Sequence, residues 1–228
     1  MLERYDYDYE YDDKYCSPDT KVLKNKLGIT DDEELHTAER EITSMWLVRL
    51  KAEPVVGKFD FAHLKRIHRK IFSDIYTWAG QCRTVDISKG NVFCRAMFIE
   101  TYAGDLFAGL VKENWLITAE RSSVPDRLAY YLSEINVLHP FREGNGRTQR
   151  LFIEYLGLVG GFHVDFSGVS ADEMIRASAD AFAQDYGRLN EMFERICTPI
   201  SRSEQEKAVG TFFGVRSAQL RMLKATRN

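Results

Sequence analysis

The fold class predicted by this sequence is all-α, a helical bundle with one small β-hairpin, and three observations carry it. Apolar residues recur at three- and four-residue spacing along most of the chain. A single stretch, Thr84 to Phe93, alternates β-branched and polar residues and runs into a Gly-Asn turn. The 228 residues contain no solenoid repeat and no low-complexity linker, so they suit one compact domain with small appendages.

Taken in order, the chain opens on an acidic, tyrosine-rich arm. Five of the eleven tyrosines and six acids against two bases fall in the first fifteen residues, the pattern of a solvated terminus. Thr30-Asp31-Asp32-Glu33 reads as a capping box, with Thr30 as N-cap, and Leu35, Ala38, Ile42, Met45 and Trp46 follow at helical spacing. Pro54 and Gly57 break the pattern. A second helix starts near Asp60, with Phe61, Leu64, Ile67, Ile71, Phe72 and Ile75 on one stripe. The hairpin occupies Thr84 to Phe93, and helical spacing returns from Phe98 to Trp115. Pro125 suits the first turn of a helix carrying Leu128, Tyr131, Leu132, Ile135 and Leu138. Ser170-Ala171-Asp172-Glu173 is a further capping box, from which one alanine-rich helix is expected to run towards Cys197. The tail from Ser201 holds six basic and two acidic residues and reads as a final helix or a partner-facing appendage. The expected division is an arm at 1–14, one domain at 15–198 and a basic, helical tail at 199–228.

Composition excludes several function classes. A formal charge of -3 supplies no whole-chain basic field, so direct nucleic-acid binding is not expected. Cys16, Cys82, Cys94 and Cys197 form no C-x-x-C pair and read as free thiols of a reducing compartment. His63 and His68 are five apart, which is not the spacing of a helical zinc pair. No apolar run is long enough to span a bilayer, and the N-terminus has no apolar h-region, so the expected location is cytoplasmic, away from membranes.

The chemistry concentrates in His139-Pro140-Phe141-Arg142-Glu143-Gly144-Asn145-Gly146-Arg147-Thr148-Gln149-Arg150, between two apolar helical stretches. Gly144-Asn145-Gly146 permits positive φ and close backbone approach, and at a helix N-terminus its amides attract an anion. Arg147 and Arg150 are three apart and project from neighbouring positions, as two guanidinium forks for a polyphosphate require. Glu143 is a hard oxygen donor able to hold Mg2+ against phosphates. His139 can accept a proton from an attacking hydroxyl at neutral pH. The plainer alternative is a capped, salt-bridged helix start, with Arg150 and Glu154 as an i,i+4 pair. It accounts for each residue singly but not for the set between two glycines.

This run resembles the Fic motif, H-x-F-x-[D/E]-G-N-G-R-x-x-R, at every defined position. The resemblance extends through Tyr15-Cys16 to Leu27-Gly28-Ile29, the stretch around Leu64-Lys65-Arg66-Ile67-His68, Ile75-Tyr76-Thr77-Trp78-Ala79-Gly80 and Arg83 to Gly90, covering about residues 15–195. It implies a Fic-type bundle whose hairpin is a flap beside the active-site loop. It also implies transfer of AMP from ATP to a hydroxyl side chain of a target protein. His139 is then the general base, Glu143 the Mg2+ ligand, and Phe141 a core anchor of the loop. Asn145 and the amides around Gly144 and Gly146 hold the phosphates, and Arg147 and Arg150 reach the β- and γ-phosphates. The flap residues Ile87, Ser88, Lys89, Gly90 and Phe93 dock an extended target segment by strand addition. Family members acting as kinases replace the GNG-R part, which is intact here.

Many members carry an inhibitory helix of pattern [S/T]-x-x-x-E-[G/N]. Here Glu precedes Gly or Asn only at Glu143-Gly144 and Glu113-Asn114, with His139 and Gly109 four residues before. The chain therefore resembles the class silenced by a separate small antitoxin protein whose Glu occupies Arg150. That class implies a toxin acting on a tyrosine of type II topoisomerase subunits such as DNA gyrase B. Two alternatives stay open: a secreted effector modifying host small GTPases, and a catalytically silent nucleotide-binding module.

Overall fold

The computed structural model describes residues 13–89 and 91–226, and the acidic arm up to residue 12 lies outside them. Helix α1 (Asp32–Ala52) begins one residue later than the sequence reading placed it. Asp31, not Thr30, is the N-cap, its carboxylate accepting the Glu34 N–H at 2.9 Å. A carboxylate is a strong acceptor for a first-turn amide. Acids in the first turn and Arg49 and Lys51 in the last complement the helix dipole. Helix α2 (Phe61–Phe72) starts at the expected Asp60, which accepts the His63 N–H at 2.7 Å. Its stripe of Leu64, Ile67, Ile71 and Phe72 is fully buried, and Ile75 is buried just beyond the helix end.

The hairpin is shorter than expected: β1 (Ser88–Lys89) pairs antiparallel with β2 (Asn91–Val92). Beyond this short ladder its legs are held largely by side chains. Arg83 donates to the Val85 and Cys94 carbonyls, and Asp86 accepts the Ala96 N–H at 2.6 Å. Helix α3 (Ile99–Lys112) then stops short of Trp115. Asn114, Trp115 and Leu116 all have positive φ, at 50°, 51° and 61°, a left-handed turn that drives Leu116 into the core. Helix α4 (Val124–Leu138) carries Pro125 in its first turn, where the missing N–H has no helical acceptor to lose.

Helix α5 (Asn145–Gly160) is the axis of the bundle, packing against α2, α3's neighbouring turn, α4 and the tail. Leu151, Phe152, Ile153, Tyr155, Leu156 and Val159 bury it on nearly every side, which is why its apolar run shows little one-sided pattern. Gly157 lets β3 (Phe162–Val164) cross it closely; a Cβ there would stand 2.6 Å from Val164 Cγ2.

Two further elements differ from the sequence reading. The expected single alanine-rich helix is two, α6 (Ala171–Phe182) and α7 (Gly187–Ile196). Gln184 turns the chain at φ 67°, and Asp185 accepts the Gly187 N–H at 3.0 Å, local turn bonding that outcompetes helix continuation. The second is β4 (Cys197–Pro199), which pairs antiparallel with β3; three residues per strand are too few to show alternation.

The basic tail forms α8 (Arg202–Phe213) and α9 (Ala218–Ala225), and α8 is part of the core. Ser201 and Glu204 make a complete capping box. Phe212 packs its ring 5.0 Å from Phe59 and 5.2 Å from Tyr155. Buried Gln205 donates to the Ile117 and Val159 carbonyls at 3.1 and 2.8 Å. Among the described residues no helix is long and apolar enough to cross a membrane.

Candidate active site

The loop between α4 and α5 is built by local bonds that its sequence supplies. Helix α4 ends at His139, which takes the left-handed conformation (φ 40°, ψ 60°) and still donates its N–H to Ile135 at 3.0 Å. Asn145 clasps the turn from the other side. Its Oδ1 accepts the Phe141 N–H at 2.9 Å and its Nδ2 donates to the Phe141 carbonyl at 2.7 Å. Gly144 enters α5 at φ 83°, and a Cβ on it would stand 2.2 Å from Phe72 Cζ. The opening amides of α5 have no intrahelical acceptors, and with the helix dipole they form an anion-binding end.

That end faces a cavity of about 640 Å³ walled by α1 on one side and α6 on the other. His139, Glu143, Gly144, Gly146, Arg147 and Arg150 all line it. The structure thus brings together every expected motif residue except Asn145, whose buried amide is bonded to Phe141 and shapes the loop. Phe141 is buried as expected. Gln149 is a lining residue to which the motif gave no role; its Nε2 lies 3.4 Å from Asn136 Oδ1.

Three further residues hold this arrangement, and the motif named none of them. Arg83, fully buried, donates through Nε to the His139 carbonyl at 2.8 Å while gripping both legs of the hairpin. Phe93 stacks on the His139 ring at 3.8 Å between centroids. His68 accepts the Gly80 N–H on Nδ1 at 2.8 Å, donates from Nε2 to the Glu143 carbonyl at 2.9 Å, and stacks on Phe141 at 3.8 Å. The His139 ring is oriented by its Nδ1, 3.1 Å from the Asn136 carbonyl. With the proton on Nδ1, the lone pair lies on Nε2.

The hairpin rises beside His139, but its residues divide. Ile87 and Phe93 have buried side chains that anchor its base. Ser88 and Lys89 form the strand, and Gly90 lies outside the described residues.

The charged residues also divide. Glu143 Oε1 accepts the Gly144 N–H at 2.7 Å and an Arg147 Nη2–H at 3.2 Å. Burial, and then the nearby Glu39 carboxylate, hold its carboxyl above the usual range, with Arg147 opposing. Arg147 reaches across to α1, where Glu39 accepts from it at 2.6 Å. The salt-bridge alternative therefore describes part of Arg147's surroundings. Glu154, the i,i+4 partner it offered Arg150, pairs with Lys51 at 3.0 Å and also lies within the influence of the Arg150 charge.

His63 and His68 make the fold acid-sensitive. Burial pushes the His63 imidazole down to about 4 and that of His68 to about 3. Below the unfolded value of about 6.5 the unfolded chain takes up protons that the folded chain refuses. Stability is then lost as pH falls through that value, until the folded values are approached. Between pH 7 and 5 each histidine should cost about 2 kcal/mol. Thermal melts across this range should show Tm falling, with a shallower fall for His68→Asn; identical slopes for the two proteins would contradict the assignment.

Comparison with known proteins gives a consistent set of relatives. Residues 58–156 match the Fic/DOC family. The chain is 39% identical over 187 residues to the protein adenylyltransferase VbhT of Bartonella schoenbuchensis, an alignment covering 82% of this chain and 39% of that protein. It is 34% identical over 193 residues to the probable protein adenylyltransferase Fic of Escherichia coli K12, covering 84% of this chain and 96% of that one. It therefore spans about two fifths of one relative and nearly the whole of the other. Among solved structures, BepC of Bartonella tribocorum, a VirB-translocated effector with bound AMPPNP, superposes with a TM-score of 0.79 at 27% identity, covering 85% of this chain and all of that one. The N-terminal Fic domain of a Bartonella quintana cell filamentation protein with bound ADP gives 0.78 at 30% identity, covering 83% and 96%.

Proposed function

Because the chain belongs to the Fic/DOC family, we propose that it transfers AMP from ATP to a hydroxyl side chain of a target protein, with Mg2+, through the residues lining the α4–α5 loop. The single observation that carries this reading is the convergence of His139, Glu143 and the opening of α5 on one cavity.

The phosphates lie against the amides around Gly144 and Gly146, with Arg147 and Arg150 supplying positive charge at the β- and γ-phosphates. The adenine end falls between the apolar residues that α6 contributes, Met174, Ala179 and Phe182. Glu143 fits a magnesium ion of this kind, since such an ion takes one or two carboxylates and completes its shell with phosphates and water. Bound there, it would offset charge developing between the α- and β-phosphates.

In the transfer, His139 Nε2 takes the proton of the target hydroxyl as its oxygen attacks the α-phosphorus in line. The α-phosphorus to bridging-oxygen bond breaks, and pyrophosphate leaves with that electron pair. The backbone of Ser88 and Lys89 offers the strand edge that brings the target segment beside His139.

The finer reading is a toxin restrained by an antitoxin. It is supported by a second, smaller hollow beside Arg150, where the apolar Leu47, Val48 and Phe166 stand among the charged Lys51, Arg147 and Glu154, so that a partner helix could lay both apolar side chains and a carboxylate there. A tyrosine of a type II topoisomerase subunit such as DNA gyrase B is the target to try first. The effector reading is favoured by a different observation, the superposition on VirB-translocated Bartonella proteins. Incubation with a cell lysate and ATP labelled at the α-phosphate should label a protein band, and γ-labelled ATP should leave it dark. Label from the γ-position would mean kinase chemistry and would remove the proposal. Purified gyrase B subunits and small GTPases, run side by side, separate the two target readings.

A further inference from the structure

Arg147 sits between two carboxylates from distant parts of the chain. Its Nη2 donates to Glu39 Oε1 at 2.6 Å and to Glu143 Oε1 at 3.2 Å, and its Nη1 donates to Thr43 Oγ1 at 3.0 Å. Glu39 and Thr43 are four residues apart on α1 and so present one face to the motif. Glu39 is only 4% exposed, and its other oxygen accepts the Tyr76 hydroxyl. Thr43 Oγ1 donates to the Glu39 carbonyl at 2.7 Å, and the Arg147 guanidinium lies 4.7 Å over the Phe72 ring. A buried carboxylate carries a large desolvation cost and is tolerated here through the guanidinium and hydroxyl that meet it.

Glu143 and Arg147, four apart across the start of α5, are paired at 3.2 Å and would close to a tighter ion pair if nothing drew the guanidinium away. Such a pair would compete with any cation for the Glu143 carboxylate. The shorter of the two bonds from Arg147 goes instead to Glu39.

We propose that Glu39 is a positioning residue of the transfer site: it draws Arg147 towards α1 and so leaves the Glu143 carboxylate to the magnesium ion of the nucleotide. The inference rests on the reading above that Glu143 receives the metal. Arg147 is then chiefly a tie between α1 and the motif, and the terminal phosphates depend more on Arg150 and the α5 amides.

The test is a magnesium titration of fluorescent ATP-analogue binding, repeated in EDTA, with label transfer measured alongside. Glu39→Gln keeps the shape and removes the charge that holds Arg147. Its magnesium half-saturation should rise roughly ten-fold, while nucleotide affinity in EDTA and kcat at saturating magnesium move by less than about two-fold. Removing the competitor as well, in Glu39→Gln/Arg147→Met, should return the magnesium requirement to within about three-fold of wild type. A purely structural Glu39 would lower Tm without moving the magnesium requirement, and the double variant would be no better than the single. Either result overturns the inference. Should Glu39→Gln fail to fold, Thr43→Val removes one Arg147 tether and should raise the requirement by a smaller factor; an unchanged requirement there is equally fatal. Wild-type binding that ignores magnesium would overturn the reading of Glu143 itself. A wild type that responds, matched by an identical Glu39→Gln, overturns only the role of Glu39.

Discussion

Replacing His139 by alanine is expected to lower AMP transfer by about 10²–10⁴-fold while leaving ATP affinity within about two-fold. The ring is placed by two contacts and its backbone by a third: the Asn136 carbonyl at Nδ1, Phe93 against its face, and Arg83 at its carbonyl. Those contacts direct Nε2 as the proton acceptor while the first turn of α5 deals with the phosphates. The phosphate groups therefore retain their partners in the variant, and only the proton loses its own. Steady-state label transfer together with equilibrium ATP binding checks this split. A variant that lost binding and transfer equally would make His139 a binding residue and remove it from the chemistry.

Gly144→Ala should produce a large loss of stability for a single added methyl. At φ 83° an alanine costs about 1–2 kcal/mol from backbone strain, and its Cβ would sit 2.2 Å from Phe72 Cζ. Phe72 is fully buried and packs against His68 with ring centroids 4.6 Å apart, so it has little room to retreat. Overpacking of this kind adds about 1–3 kcal/mol. The expected fall in Tm is roughly 5–15 °C for a chain of this size. Because the same movement reaches His68 and the Glu143 carbonyl, ATP affinity should fall with it. Differential scanning calorimetry and ATP titration on one preparation measure both, and a variant with wild-type Tm would refute the packing argument.

What the sequence disclosed and what it withheld separate along physical lines. The His139–Arg150 run was legible because a loop feeding a helix N-terminus is local: glycines, acid and arginines must be adjacent to be there at all. The starts of α2 and α6 were legible for the same reason, since Asp60 and Ser170 each cap an amide three residues on. The break at Gln184 and the left-handed turn at Asn114–Leu116 were not, because each settles a contest between helix continuation and turn bonding that the alanine- and apolar-rich pattern did not reveal. Glu39, His68 and Arg83 reach the motif from 108, 75 and 56 residues away, by packing alone. Their signal was present but unread. Arg83 and His68 lie in stretches that resemble Fic domains, and an arginine or histidine amid apolar spacing invites the question of what carbonyl it serves. Glu39 gave less, as one more acid on an acidic helix.

Whether this site moves AMP is decided by peptide mass spectrometry of lysate proteins incubated with the enzyme, ATP and Mg2+. The expected result is a peptide heavier by one AMP, with the adduct on a hydroxyl side chain and absent when His139→Ala replaces the wild type. Peptides carrying a phosphate, or no adduct from a protein shown separately to bind ATP, would contradict it.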